Sequence, residues 1–152
     1  MKRLIKYMVV VIVLFSVVAL MTGCCGYELI EGKVTGGGWF INKICGPAYD
    51  AKCTFGFNAQ GEGCLCDGIN VKGQFQFNDH DSTILHCSVG DLYQVGPNTY
   101  RFEGVDKKSE KDIVVTVTDN GKPGADPGDY ITVECDGDVW EGVLEGGNIV
   151  IH

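Results

Sequence analysis

Asp119, Asn120, Asp126 and Asp129 crowd oxygen ligands into the segment TVTDNGKPGADPGDYITV, which runs from Thr116 to Val133. Calcium takes about six to eight oxygens, some of them backbone carbonyls, from glycine-rich loops of this kind. Gly121, Gly124 and Gly128 would let the chain curve around such an ion. The spacing is not that of an EF-hand, which alternates its ligands and ends on a glutamate. The same residues also suit turns. Asp119-Asn120-Gly121 is a hairpin-turn sequence and Asp126-Pro127-Gly128 a second turn, because Asn and Gly accept positive φ. Calcium is thus the candidate cofactor, and turn formation competes for the same side chains.

A second cluster lies in NDHDSTILH, where Asp79, His80 and Asp81 precede His86. A histidine beside carboxylates can ligate a metal or act as a general base. Strand alternation, however, places His86 opposite Cys87 and toward solvent, while Asp79 and Asp81 suit a hairpin turn. No serine sits in a G-x-S-x-G context and no H-E-x-x-H occurs. Glu134, Asp136, Asp138, Glu141 and Glu145 could supply a glycosidase pair, which needs two carboxylates facing each other across a cleft. Asp136-Gly137-Asp138 fits a two-residue hairpin turn as well. Trp39, Phe40 and Trp140 could stack on carbohydrate or belong to the core. Gly36-Gly37-Gly38 is followed by neither a helix nor Lys-Ser/Thr, so it suits a bulge or crossing rather than a phosphate loop.

Six cysteines, Cys45, Cys53, Cys64, Cys66, Cys87 and Cys135, follow Cys24 and Cys25. In an exported domain they suggest three disulfides, whose pairing the sequence leaves open. Cys53 shares a strand face with Phe55 and Phe57, Cys87 with Leu85 and Val89, and Cys135 with Ile131 and Val133. These three should point into the core. A Cys87–Cys135 bridge would close a loop of about fifty residues and stabilise the fold by roughly 3–4 kcal/mol. Cys45 and Cys53 could staple the turn GPAYDAK, which leaves Cys64 and Cys66 too close for an unstrained bond. Alternatively Cys45 and Cys53 are shared out between Cys64 and Cys66. A thiolate metal site is the weaker reading, because paired C-x₂-C knuckles are missing.

The elements that must position these residues begin after a leader. Lys2, Arg3 and Lys6 precede fifteen apolar or small residues from Tyr7 to Met21, the pattern of a signal peptide over residues 1–23. That run is shorter than the about 20 residues of a membrane span. LMTGC resembles a bacterial lipobox, which would make Cys24 the lipidated first residue; a plain cleaved signal or an uncleaved anchor are the alternatives. Each places the remainder outside the cytoplasm, with the membrane as partner. Residues 24–32 form a tether and 33–152 a single domain. Loss of three cations and no acid takes the formal charge from −8 to −11. Such a surface repels phosphate backbones and excludes nucleic acid as a partner.

From Gly32 onward, short apolar runs alternate with turn residues and no helix of ordinary length fits. Phe75 and Phe77 oppose Gln74, Gln76 and Asn78, and Ile113, Val115 and Val117 oppose Val114, Thr116 and Thr118. One-sided burial in an antiparallel sheet gives this pattern. About nine short strands predict an all-β fold, a small antiparallel β-sandwich, jelly-roll-like or closed into a flattened barrel.

The blocks VTGGGWF, CTFGFNAQ, GQFQFNDHD, VTVTDNGKPGADPGDYITV and LEGGNIVIH follow the order of the post-COAP type of extracellular β domain. The chain from about Lys33 to His152 resembles that group, and five ordered blocks make the resemblance specific. Such domains occur in exported prokaryotic proteins. The resemblance implies an all-β accessory module without an assigned catalytic activity. ICGPAYDAKC and GEGCLCDG depart from the pattern and look like stapled additions. The expected function is a lipid-anchored cell-surface module, binding or structural, whose partner is a surface protein or carbohydrate. A calcium- or carbohydrate-binding domain is the alternative, and a hydrolase the remaining one.

Overall fold

Period-two alternation resolves into eight antiparallel strands. A computed structural model describes residues 29–44, 48–64, 68–121 and 128–152. The strands are β1 (Leu29–Ile41), β2 (Lys52–Cys64), β3 (Gly68–Asn78), β4 (Ile84–Gly96), β5 (Thr99–Asp106), β6 (Asp112–Thr118), β7 (Tyr130–Cys135) and β8 (Asp138–Ile151). Each pairs with the next in sequence and β8 returns to β1, so the sheet closes into an up-and-down barrel. The expected signal peptide, Cys24 and most of the tether lie outside the described residues. β1 starts at Leu29, ahead of the expected domain start at Lys33.

The all-β, antiparallel expectation holds, but the two-sheet sandwich gives way to a closed barrel and the nine strands to eight. DVWEGVLEG and NIVIH, which look like two strands, form one. β8 pairs with β7 through Asp138–Val143 and with β1 through Leu144–Ile151. A bulge beside Trp39 and Phe40 bends it between those partners, and Gly147 there has a φ of +104°. A Cβ on Gly147 would lie 2.0 Å from the Gly37 carbonyl oxygen, and one on Gly38 2.1 Å from that of Gly146. The seam therefore closes by backbone contact that only glycine permits. This is the crossing expected of Gly36-Gly37-Gly38.

Inside, Phe55 and Phe57 of β2 face Phe77 and Phe75 of β3, which face Leu85 and Cys87 of β4. Rings also meet between strands that are not neighbours. Phe57 and Phe102 lie 5.1 Å apart, and Phe77 and Trp140 5.2 Å. The centre is filled by side chains, each contributing about 1.5–3 kcal/mol by leaving water. Outside stand Gln74, Gln76, Ser88, Arg101, Glu103 and Glu134. Ile84, Tyr93, Val95, Val105 and Val143 are exposed among them.

Candidate functional site

Up-and-down order sends the β3–β4, β5–β6 and β7–β8 connections to one end of the barrel. Two aspartates there continue the inward parity of their strands. Asp79 follows Phe75 and Phe77, and Asp106 follows Tyr100 and Phe102; both are buried. Asp79 Oδ1 accepts the backbone N–H groups of Asp81, Ser82 and Thr83 at 3.0, 2.9 and 2.8 Å. Asp106 Oδ1 accepts the His86 N–H at 2.9 Å. Its Oδ2 accepts the Ser109 N–H, the Ser109 hydroxyl and the Lys108 N–H at 2.7, 2.8 and 3.2 Å. Burial opposes both charges, but the hydrogen bonds outweigh it. Asp79 sits below the ordinary carboxylate range, and Asp106 is brought down to about 2.

These fixed turns frame a cleft of about 380 Å³. Ser82 and Thr83 line it from the first turn, Lys108 and Ser109 from the second, and Asp136 and Asp138 from the third. Leu85, Cys135 and Trp140 line it from the barrel. The third turn is the two-residue hairpin expected of Asp136-Gly137, with φ of +53° and +87°. Lys111 pairs with Asp136 across the rim, both largely exposed. Such an exposed pair adds little to stability. Trp140 is 1% exposed, and its indole Nε1 has no hydrogen-bond partner among the described residues.

The calcium candidates meet at the opposite end, where they fasten a loop to β8. Asp119 Oδ1 accepts the Gly121 N–H at 2.9 Å and Oδ2 that of Ile151 at 3.1 Å. Asp129 Oδ1 accepts the Asn120 N–H at 2.9 Å and Oδ2 that of Ile149 at 2.7 Å. The Asn120 side chain donates to the Gly128 carbonyl at 2.8 Å. Asp126 lies outside the described residues. Asp119-Asn120-Gly121 opens the long β6–β7 connection rather than a two-residue hairpin, because Thr118 pairs with Tyr130. Among the described residues, no three His, Cys, Asp or Glu side chains are grouped to hold a metal.

Cys53, Cys87 and Cys135 point into the core as expected, and all three are free thiols. The Cys87–Cys135 bridge is therefore not made. Cys87 lies on β4 beside β3 and β5, while Cys135 on β7 pairs with Ile113 of β6, two strands further round the barrel. Burial, then the Asp79 carboxylate, pushes the Cys53 thiol up to about 12. Burial, then Asp106, pushes Cys87 to about 11. Cys45 and Cys66 lie outside the described residues, and Cys64 ends β2.

The other candidates disperse. His80 is exposed in the β3–β4 turn, with Nε2 3.0 Å from the Thr54 hydroxyl. His86 stands on the outer face beside Thr54 and Gln76, in a groove of about 510 Å³. Glu134 and Glu141 lie on the outside of β7 and β8, away from the inward-facing residues. Phe40 and Trp140 are core, whereas Trp39 is partly exposed with the Lys52 ammonium 4.4 Å above its ring. The three aromatics do not form one stacking surface.

Sequence reasoning passed over Asp106, Lys108 and Ser109. The available signal was parity: an aspartate on the inward face at a strand's end, with a serine three residues later to bond it. Comparison of the chain with protein-family models, curated proteins and solved structures returned no match.

Proposed function

We propose that this chain is a non-catalytic binding module, exported and held at the cell surface by lipid on Cys24. The observation that carries the non-catalytic part is the use made of its inward carboxylates. Asp106 and Asp129 have both oxygens engaged by hydrogen bonds, and Asp79 holds three N–H groups with one. A general base needs a free lone pair directed at substrate; the one oxygen of these three carboxylates without a partner among the described residues, Asp79 Oδ2, is buried and Asp79 does not line the cleft. The ring-filled centre supports the same reading, since it offers no chamber in which to sequester a reaction. An exterior of mixed polar and apolar side chains on a closed barrel suits display to partners.

Export and anchoring are supported by the basic-then-apolar leader ahead of LMTGC and by the likeness of residues 33–152 to post-COAP-type extracellular domains. The full chain, expressed in a lipoprotein-processing bacterium and fed an alkyne palmitate, should be labelled and recovered with membranes. Cys24→Ser should lose the label. Recovery of unprocessed wild-type chain from the cytosol, with residues 1–23 still attached, would overturn the proposal.

A further inference from the structure

We infer that the cleft between the β3–β4, β5–β6 and β7–β8 turns binds a neutral, polyhydroxylated ligand, one sugar ring in size. The inference rests on the reading of the chain as a non-catalytic binding module, and it names the site and the ligand class.

Size sets the first limit. At about 380 Å³ the cleft stands near the lower end of small-ligand sites, roughly 300–1,000 Å³. Its floor is apolar and includes Leu85 and Trp140, both buried. Trp140 carries a buried N–H without an acceptor among the described residues, and leaving it unsatisfied costs free energy.

The rim excludes simpler ligands. Lys108 and Asp138 stand on different turns around one opening, and neither belongs to an ion pair among the described residues. A small anion would be drawn to Lys108 but repelled by Asp138, Asp136 being paired with Lys111; a small cation would meet the reverse. A hydroxyl accepts from an ammonium and donates to a carboxylate at the same time, so several on one ring satisfy a rim of both signs. The frame needs little ordering. Asp79 and Asp106 already fix the main chain of two of the three turns, which lowers the cost of binding.

The chain contains two tryptophans, so Trp39→Phe leaves Trp140 as the single emitter. The full-length variant, in detergent, is titrated with glucose, galactose, mannose, N-acetylglucosamine and their β-linked disaccharides. Acetate, phosphate and glycine are the controls. At least one sugar should change Trp140 emission saturably. Lys108→Ala and Asp138→Asn, each with an unchanged unfolding midpoint, should weaken that binding about tenfold, the effect of one charge-assisted hydrogen bond. A variant whose midpoint falls is replaced by Ser109→Ala on the neighbouring rim. The inference is overturned if no sugar responds, or if all folded variants bind like the parent, in which case the module binds elsewhere. An equal response to acetate, phosphate or glycine overturns it too. Reducing sugar released from a bound disaccharide, with binding still sensitive to Lys108, would support the cleft and overturn the non-catalytic reading.

Discussion

Asp106 reaches sideways from β5 to the backbone of β4, its Oδ1 accepting the His86 N–H at 2.9 Å. The other oxygen holds the β5–β6 turn through Ser109 and Lys108. One carboxylate thus ties β4, β5 and the β5–β6 turn together at the end where the cleft lies. Asp106→Ala should destabilise the barrel by about 2–3 kcal/mol, because the N–H groups it serves lose a charged acceptor. Denaturant midpoints of the two proteins measure this. A loss within about 0.5 kcal/mol, the ordinary effect of a surface change, would reduce the contact to decoration.

The same carboxylate makes stability depend on acid. Its folded pKa of about 2 lies below the ordinary 3.8, so the unfolded chain binds the proton first. The contribution is complete above that ordinary value and is lost as pH falls through it toward the folded one. Asp79 shifts in the same direction. Urea midpoints should therefore hold from neutral pH to about 4 and fall steeply toward about 2. Asp106→Asn should flatten that fall; an equally steep fall in the variant would place the acid sensitivity elsewhere.

Much of this was legible in the chain. Parity alone turns Cys53, Cys87 and Cys135 inward and His86 outward, since a two-residue period leaves no other choice. Closure was not legible. It depends on β8 changing partner between Val143 and Leu144, just ahead of Gly146-Gly147, and a glycine pair inside an apolar run looks locally like a break. The cleft was hidden for a different reason. Ser82, Ser109 and Asp138 lie far apart in sequence and meet only because alternate connections of a closed meander share one end. Local spacing also misled at Asp119-Asn120-Gly121, where the β6–β7 register opens a long loop in place of a tight turn.

Thiol chemistry follows from burial. With Cys53 raised to about 12 and Cys87 to about 11, the thiolate of Cys87 at pH 8 is about one part in a thousand. Iodoacetamide should leave both untouched in native buffer and modify both in guanidinium, as peptide mapping would record. Native labelling of either at the rate of free cysteine would mean that this part of the barrel opens readily.

Calcium should have little effect. Asp119 and Asp129 give each oxygen to a backbone N–H, and binding an ion would compete with bonds that hold the loop to β8. The unfolding temperature should coincide in excess calcium and in chelator. A calcium-dependent rise would show that the β6–β7 loop rearranges around the ion.

Gly147 offers the sharpest test of the closure itself. An alanine there would place its Cβ 2.0 Å from the Gly37 carbonyl oxygen, at a φ of +104° that side chains rarely adopt. The obstruction is the β1 backbone at Gly37 and Gly38, so no side chain can swing away to relieve it. Gly147→Ala should cost about 3 kcal/mol or more and loosen the β1–β8 pairing, visible as faster amide exchange along Val34–Phe40 than along β5 or β6. Gly56→Ala is the control, because a Cβ at that position meets nothing within 4 Å; its effect should stay within about 0.5 kcal/mol. If the two variants unfold together, the seam is not where β8 meets β1, and the chain is an open sheet rather than a barrel.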